Sequence, residues 1–249
     1  MHFFYNILVL IVVVLAAPVF LYRLIREKGF GERLKQSFGF LPAETLNRVA
    51  NKNAIWLHAA SVGEIVATSP IVKEIKKQMP ASVVVISVVT ASGYDMARRI
   101  IPDADGVMYF PIDLPFLSSH VIRSIRPRVF LLVETELWPN FLLEARRSNI
   151  PVMMVNGRIS DKSVNRYRYL GSVLQDMLQT VVKFCMQSTI DAEHIISLGA
   201  DPSRVTVTGN TKYDQTYTDV TRTEQLELIS HYGFAGMGPV SVAGSTLHG

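Results

Sequence analysis

Glu64 is the residue of this sequence whose position most directly suggests chemistry. It follows an apolar strand pattern at residues 55–58 and the small-residue turn Ser61-Val62-Gly63, and an apolar helical pattern begins after it. The turn puts Glu64 at the carboxyl edge of a predicted sheet, where open α/β folds bind their ligands. A carboxylate at a helix N-terminus is expected to stay ionised, so it can accept a proton. Ser61-x-x-Glu64 also matches a helix capping box, which requires no function, and the backbone amides of this turn could instead hold an anion.

Glu134 ends a second apolar strand pattern, residues 129–133, at the same predicted edge. Further polar and aromatic residues follow it at once, namely Thr135, Glu136, Trp138, Pro139 and Asn140. An ordinary turn is built from small residues such as Gly, Asn and Ser, so this composition favours a site. The simpler alternative is a strand-end carboxylate bound to a neighbouring helix N-terminus.

Lys212 lies just past the last predicted strand, residues 205–208. It is either a solvated lysine of a linker or a cation that reaches into a cleft between domains and stabilises developing negative charge. Arg158, after the fifth predicted strand, adds a basic group, as does the run Arg166-Tyr167-Arg168-Tyr169. Basic-aromatic runs can stack on nucleic acid, but we assign this one to a helix surface beside a membrane and expect no nucleic-acid partner.

Short apolar runs that alternate with helical patterns predict a doubly wound α/β fold. The remaining strands are expected at residues 82–89, 107–110, 151–155 and 184–187. At residues 111–115, two prolines predict a turn. Continuous apolar strands indicate a parallel sheet that is covered on both faces, here as a Rossmann-like domain over residues 54–212.

The N-terminal segment is predicted to be a membrane anchor. Residues 3–22 contain no acidic or basic side chain and are long enough to cross a bilayer once as a helix. The basic residues after this run put the rest of the chain on the cytoplasmic side of the membrane. We assign residues 1–22 to the anchor and residues 23–53 to a basic linker that can contact anionic lipid. A cleaved signal peptide is the alternative, although no Lys or Arg precedes the apolar run.

Residues 213–249 are expected to be a linker and the start of a second αβ domain. An apolar run at residues 240–243 precedes Gly244-Ser245-Thr246, a turn suited to binding a phosphate. A single strand has no sheet of its own to join, so we interpret the chain as the N-terminal part of a longer protein.

Composition narrows the chemistry further. The 249 residues carry a net charge of +4, which favours anionic partners or surfaces. The one cysteine, Cys185, excludes an intramolecular disulfide and lies in an apolar run where a buried thiol is expected. His58 and His194 have no partners at metal-ligand spacing, and no Gly-x-Gly-x-x-Gly or Walker A pattern occurs. We therefore expect no metal, no nicotinamide cofactor and no P-loop nucleotide.

Five ordered motifs carry a family resemblance. They are His58-x-x-Ser61-Val62-Gly63-Glu64, Glu134-Thr135-Glu136-Leu137-Trp138-Pro139-Asn140, Asn156-x-Arg158-x-Ser160, Thr206-Val207-Thr208-Gly209-Asn210-x-Lys212 and Gly244-Ser245-Thr246. Together they closely resemble the 3-deoxy-D-manno-octulosonic acid (Kdo) transferases of Gram-negative bacteria, over essentially the whole chain. The second motif is the most specific of the five.

The resemblance implies a two-domain GT-B glycosyltransferase of lipopolysaccharide biosynthesis. Such an enzyme moves Kdo from CMP-Kdo to the lipid A precursor, lipid IVA, at the cytoplasmic face of the inner membrane. The resemblance implies Glu64 as general base and Glu134 and Lys212 as transition-state stabilisers, with no metal and no cofactor. The expected substrate-binding residues are Ser61, Gly63, Trp138, Asn140, Arg158, Ser245 and Thr246.

The match to the second domain stops after its first loop, so this chain alone is expected neither to bind CMP-Kdo productively nor to transfer Kdo. The alternative is a non-catalytic, membrane-tethered fragment that binds anions.

Overall fold

The computed structural model describes residues 2–50, 52–214, 221–234 and 236. The chain divides into two units, Met1–Gln215 and Thr216–Gly249. The first unit contains the sheet and the candidate site, and the described part of the second is mainly one helix. The strand expected at residues 240–243 and the predicted site residues Ser245 and Thr246 lie outside the described residues.

The first unit is built on one parallel sheet. In chain order its strands are β1 (Ala54–His58), β2 (Val83–Val88), β3 (Gly106–Tyr109), β4 (Val129–Val133), β5 (Val152–Gly157), β6 (Val181–Met186) and β7 (Val205–Val207). They are arranged in the order β3-β2-β1-β4-β5-β6-β7, and every neighbouring pair is parallel. This arrangement confirms the predicted Rossmann-like α/β fold. The strand order reverses between β1 and β4, which makes that position the topological switch point.

Helices connect the strands and cover the sheet. Those of the described residues are α1 (His2–Arg26), α2 (Phe30–Ser37), α3 (Ala43–Val49), α4 (Val62–Gln78), α5 (Ala91–Ile100), α6 (Pro115–Ile125), α7 (Pro139–Arg147), α8 (Asp161–Arg168), α9 (Ser172–Thr180), α10 (Thr189–Ser197) and α11 (Arg222–His231). The first ten belong to the first unit, and α11 belongs to the second.

The alternation of side chains along β1 divides the core into two layers. Trp56 points to one face, where its ring packs edge-on against Phe130 and Phe141 at 5.0 and 4.9 Å between centroids. Leu57 belongs to the cluster on the other face, with Ile65 of α4. Both clusters consist of aliphatic and aromatic side chains, so the central strands of the sheet are buried on both sides, as a parallel sheet requires.

Two segments differ from the sequence prediction. Residues 115–125 form α6, although the prolines at residues 111–115 predicted only a turn. Pro115 is the first residue of that helix, a position at which the missing N–H of proline costs nothing. The segment predicted as a linker, residues 23–53, contains α2 and α3, and the side chain of Gln36 accepts a hydrogen bond from the backbone N–H of Tyr109 at 2.8 Å.

Helix α1 lies along the αβ domain rather than apart from it. The hydroxyl of Tyr5 donates to Oδ2 of Asp113 at 2.8 Å, while near the other end the ring of Phe20 lies 6.2 Å from that of Phe30. The partly buried positions of the helix recur every three or four residues and therefore share one face. They are Tyr5, Asn6, Val9, Val13, Ala16, Phe20 and Arg23.

Candidate active site

The switch point of the sheet brings two of the predicted catalytic residues together. Glu64 follows β1 and Glu134 follows β4, and these strands are direct neighbours, with Leu57 opposite Leu131. Their carboxyl ends therefore open into the same crevice, which is where open α/β sheets bind ligands.

The first turn of α4 fixes the side chain of Glu64. Ser61 caps the helix: its hydroxyl accepts from the N–H of Glu64 at 3.3 Å and donates to Oε1 of Glu64 at 2.8 Å. The other carboxylate oxygen accepts from the backbone N–H of Ala60 at 2.7 Å. Ser61 therefore caps the helix as the sequence suggests, but the return bond of a capping box is not formed, because the carboxylate accepts from the N–H of Ala60 instead of that of Ser61. These bonds hold the carboxylate in one position.

The protonation of Glu64 differs from the expectation. A helix N-terminus favours an ionised carboxylate, but the side chain is only 8% exposed, and this burial raises the pKa of Glu64 to about 7. The neighbouring charges of Glu136 and Glu134 raise it further, whereas the hydrogen bonds from Ser61 and Ala60 lower it. Full ionisation at neutral pH, as expected from the sequence, does not agree with this pKa, since desolvation outweighs the hydrogen bonds from Ser61 and Ala60. A pKa near 7 suits a general base at neutral pH better than an ordinary carboxylate does.

Glu134 has an unusual backbone conformation. Its φ angle is +60°, in the left-handed region that residues with a Cβ rarely adopt. Its N–H donates to the carbonyl of Val155 at 3.0 Å and so extends the pairing of β4 with β5. A backbone held in this region is found where the surrounding structure specifies it, often at functional sites.

Lys212 is the third predicted catalytic residue that lies beside Glu64 and Glu134. Its ammonium donates to Oε1 of Glu134 at 3.0 Å, and it approaches the first turn of α4 so closely that a Cβ on Gly63 would lie 3.7 Å from Nζ. The side chains of this ion pair are 34% and 17% exposed, so the pair lies at the mouth of the crevice. The structure therefore brings Glu64, Glu134 and Lys212 to one place.

Asn156 is a residue that the sequence analysis quoted in a motif but did not select. It is buried, has a φ angle of +52°, and its Oδ1 accepts from the N–H of Thr211 at 3.0 Å. Thr211 in turn donates its hydroxyl to the carbonyl of Ala67 in α4 at 2.8 Å. These two bonds fix the loop that carries Lys212. Within the described residues, Nδ2 of Asn156 is buried without a hydrogen-bond partner, and its place at the end of β5 was the signal available in the sequence.

Trp138 connects the crevice to the interior of the sheet. Its indole N–H donates to Nε2 of His58 at 3.2 Å, which indicates the His58 tautomer with hydrogen on Nδ1. The Nδ1 atom lies 3.1 Å from the carbonyl of Ser87, and Oε2 of Glu136 lies 3.7 Å from Nε2. His58 is thus a buried residue that orients an indole, consistent with its lack of partners at metal-ligand spacing.

The side chain of Asn140 is buried and makes hydrogen bonds within the protein. Its side-chain amide donates to the carbonyl of Asp113 at 2.6 Å and to Oδ1 of Asn6 at 2.8 Å. The buried carboxylate of Asp113 accepts from the backbone N–H groups of Asn140 and Phe141 at the start of α7. These contacts connect α1, α7 and the loop after β3, and a role for Asn140 in binding substrate stays a prediction.

Arg158 lies at the exposed end of β5. Its carbonyl accepts from the hydroxyl of Thr135 at 3.1 Å, so the loops after β4 and β5 contact each other here. Arg158 follows β5 at the same carboxyl edge of the sheet as Glu134, because β4 and β5 are parallel, and its contact with substrate stays a prediction.

The described residues contain no group of three or more His, Cys, Asp or Glu side chains that could hold a metal ion. Burial raises the pKa of the Cys185 thiol, which disfavours the thiolate and hence a nucleophilic role. The site therefore contains a carboxylate base, Glu64, with a pKa near neutrality. Beside it lies the ammonium of Lys212, bound to Glu134, which can stabilise developing negative charge.

Solved structures share this fold. One is the UDP-GlcNAc 2-epimerase from Neisseria meningitidis bound to UDP-GlcNAc, with a TM-score of 0.53 and 15% identity over 73% of this chain and 54% of that one. Another is Anabaena HepE in complex with UDP and glucose, with a TM-score of 0.53 and 12% identity over 73% of this chain and 50% of that one. At this identity the likeness concerns the fold alone.

Curated relatives are closer in sequence. The chain is 35% identical over 223 residues to a bifunctional glycosyltransferase/methyltransferase of Fusobacterium nucleatum. This alignment covers 88% of this chain and 34% of that protein. It is 30% identical over 218 residues to the 3-deoxy-D-manno-octulosonic acid transferase of Haemophilus influenzae, over 88% of this chain and 50% of that protein. The chain thus spans half or less of the length of these relatives.

The family model described as 3-deoxy-D-manno-octulosonic-acid transferase (kdotransferase) matches residues 32–215. That range includes the whole sheet and the residues Glu64, Glu134 and Lys212. The match covers well over half of the chain, and the chain therefore belongs to the 3-deoxy-D-manno-octulosonic-acid transferase family.

Proposed function

We propose that this chain is the membrane-attached, acceptor-binding part of a glycosyltransferase that moves Kdo from CMP-Kdo to the lipid A precursor, lipid IVA. In this proposal residues 54–212 bind the acceptor, and residues 213–249 lead into the domain that binds the donor. The observation that carries it is the meeting of Glu64, Glu134 and Lys212 at the switch point of a chain of the kdotransferase family.

Glu64 acts as the general base in this proposal. A sugar hydroxyl is a poor nucleophile, and a carboxylate with a pKa of about 7 is half ionised at neutral pH. Its carboxylate takes the proton of the acceptor hydroxyl while that oxygen forms a bond to the anomeric carbon of Kdo. The bond between this carbon and the phosphate oxygen of CMP breaks at the same step, and CMP leaves with the bonding electrons.

Lys212 and Glu134 stabilise the charge that develops. The leaving phosphate gains negative charge, which a preorganised ammonium lowers in energy without first having to reorient. Glu134 holds that ammonium at 3.0 Å, and the loop bonds of Asn156 and Thr211 hold the backbone beneath it. We expect Ser61, Gly63, Trp138, Asn140 and Arg158 to line the acceptor side, and Ser245 and Thr246 to contact the CMP phosphate.

We place the protein at the inner membrane with its αβ domain on the cytoplasmic side. Helix α1 contains the stretch Phe3–Arg26, which is long and apolar enough to cross a membrane. The large apolar side chains on its outer side, including Phe4, Leu15 and Ile25, are exposed and suit contact with lipid.

The sequence predicts that α1 crosses the bilayer once. The bonds from Tyr5 to Asp113 and from Asn140 to Asn6 hold the first turns of the helix beside the αβ domain, so a crossing helix must release them. A Phe4→Cys variant in a Cys185→Ser background separates the two arrangements. Labelling by a membrane-impermeant maleimide in intact inner-membrane vesicles and in spheroplasts reports on which side residue 4 lies.

The decisive test of the function uses the full-length protein with CMP-Kdo and a tetraacyl lipid A precursor. Glu64→Gln is expected to abolish transfer while leaving the fold intact, since the amide oxygen of glutamine can still accept from the N–H of Ala60 and Ser61 still caps the helix. Glu74→Gln, on the exposed side of the same helix, is the matched control and should transfer normally. Near-normal transfer by Glu64→Gln would make Glu64 structural. The 249-residue chain alone is expected to transfer no Kdo.

A further inference from the structure

An elongated apolar cavity lies between α1 and the αβ domain. Its volume is about 440 Å³, within the usual range of small-molecule sites. The helix contributes Val9, Val13 and Ala16, and the domain contributes Val89, Ile112 and Trp138. This lining offers a polar ligand few hydrogen-bond partners, because few polar groups face the cavity.

The polar groups at one end of this cavity are already engaged. Tyr5 donates to Asp113, and the carboxylate of Asp113 also accepts from the backbone of Asn140 and Phe141. A ligand there meets apolar surface rather than free donors or acceptors. This favours a hydrocarbon chain over a sugar, a nucleotide or a peptide backbone, each of which would lose its hydrogen bonds to water.

The cavity begins beside the candidate active site. Trp138 lines it, and the indole of this residue bonds to His58 at the carboxyl edge of the sheet. At the far end, the guanidinium groups of Arg23 and Arg33 lie 5.1 and 5.9 Å from the ring centroid of Phe30. The lining positions of α1 run from Tyr5 to Arg23, which is about 27 Å along a helix. A long, thin ligand can thus extend from the site along the helix.

The cavity also adjoins the surface expected to contact lipid. Ala16 lines the cavity, whereas the next residue, Ala17, belongs to the exposed outer side of α1. Leu15 on that side is 72% exposed. A hydrocarbon chain therefore has only to pass around one helix to move from the bilayer into the cavity.

We propose that, with α1 lying along the αβ domain as in the structure, this cavity binds one acyl chain of the lipid acceptor, with the head of the lipid directed past Trp138 toward Glu64. A helix that crosses the bilayer would release the bonds of Tyr5 and Asn6 and remove one wall of the cavity. The identity of the lipid as the acceptor rests on the proposed function, while the choice of a hydrocarbon chain rests on the cavity. The acyl chain acts here as a positioning group: it holds the acceptor hydroxyl near the base and takes no part in bond formation.

The test uses the full chain in lipid nanodiscs of phosphatidylethanolamine and phosphatidylglycerol. A tetraacyl lipid A precursor with a photoreactive diazirine in its acyl chains is added, irradiated, and its adducts are located by peptide mass spectrometry. We expect adducts on the domain side of the cavity, at Val89, Ile112 and Trp138. A helix that only contacts bulk lipid would give adducts on its outer side and none at these three residues.

Two matched pairs of variants report on occupancy. Ala16→Trp fills the cavity and should abolish the domain-side adducts, whereas Ala17→Trp, one position away on the outer side, should leave them unchanged. Val12→Trp, at a more open lining position, repeats the test should Ala16→Trp disturb folding, and its control is Val14→Trp. Thermal unfolding of each variant identifies any that is misfolded.

Competition identifies the lipid. Excess unlabelled precursor should displace the domain-side adducts, and excess phosphatidylglycerol should not. Equal displacement by both lipids would assign the cavity to a resident membrane lipid and would overturn the proposal. Domain-side adducts that persist in both Ala16→Trp and Val12→Trp would also overturn it. This assay needs no CMP-Kdo, so a full-length protein that labels normally but transfers nothing contradicts the proposed function and leaves the cavity assignment standing.

Discussion

The ammonium of Lys212 donates a hydrogen bond of 3.0 Å to Oε1 of Glu134, although 78 residues of chain separate the two. The pair stands beside Gly63 in the first turn of α4, where a Cβ would lie in ordinary contact with Nζ, at 3.7 Å. The contact joins the loop after β7 to the ends of β4 and β1 and gives the crevice its cation. We expect the loss of this contact to lower the rate of transfer strongly and to change the free energy of unfolding only slightly.

Lys212→Met should lower transfer in the full-length protein by about 100-fold or more, because a preorganised charge at the leaving group is lost. The same change should alter the free energy of unfolding by less than about 1 kcal/mol, since partly exposed ion pairs contribute little. Steady-state kinetics and urea denaturation measure the two effects. Lys77→Met on the exposed end of α4 is the control and should change neither. A large loss of stability with unchanged kcat would make Lys212 a structural residue.

The rate of transfer should rise with pH through a midpoint near 7. Only the ionised form of Glu64 accepts a proton, and burial raises the pKa of this group to about 7. Below the midpoint the rate should fall about tenfold per pH unit. A profile of kcat/KM between pH 5 and 9 measures this. A rate that is flat down to pH 5 would contradict either the raised pKa or the role of Glu64 as base.

The same pKa predicts a dependence of stability on pH. The folded carboxyl binds its proton more tightly than the unfolded chain, so the stabilising contribution of Glu64 is complete below about pH 4.5 and is lost as the pH rises through 7. Relative to the wild type, Glu64→Gln should therefore gain stability between pH 5 and pH 8, by at most about 3 kcal/mol. Urea denaturation at both pH values checks this, with Glu74→Gln as the variant expected to show no such gain.

Asp113→Ala should be strongly destabilising. This carboxylate is only 3% exposed and accepts hydrogen bonds from Tyr5, Ser118 and the first backbone N–H groups of α7. Removing it leaves several buried donors without a partner, at a cost of about 2–4 kcal/mol in the free energy of unfolding. Asp103→Ala, at an exposed loop position, is the control. A loss below about 1 kcal/mol would show that water replaces the carboxylate.

Tyr5→Phe should loosen α1 without unfolding the αβ domain. It removes the hydroxyl that bonds to Asp113, and trypsin should then cleave more rapidly after Arg23 and Arg26. Tyr22→Phe removes a hydroxyl from the exposed side of the same helix and should leave the cleavage rate unchanged. Equal cleavage rates in both variants would mean that the Tyr5 bond does not hold the helix against the domain.

The sequence was sufficient for much of the fold. Continuous apolar runs such as residues 129–133 predicted β4 to the residue, because a strand buried on both faces is built mainly from apolar side chains. Helix α6 was missed, since Pro115 breaks a helix when it is internal but suits its first position. Which of these roles a proline takes depends on what packs around it.

The candidate site was less accessible to sequence reasoning. Order along the chain was enough to put Glu64 and Glu134 at one edge, because parallel strands end on the same side of a sheet. It could not give the pKa of Glu64, which depends on how completely neighbouring elements remove water from the carboxylate. The place of Asn156 at the end of β5 is visible in the sequence, but its role is not, because that role is a bond to the backbone of Thr211, 55 residues away.

The amino-acid pattern by itself determined the parallel αβ architecture, the apolar N-terminal helix and the family of the chain, since these follow from local periodicity, composition and short motifs. Only the tertiary structure decided that Lys212 bonds to Glu134, that burial raises the pKa of Glu64 to about 7, and that α1 lies along the domain and forms one wall of an open cavity. These features arise from contacts between residues distant in sequence, and local sequence patterns do not encode the distances on which desolvation and charge interactions depend.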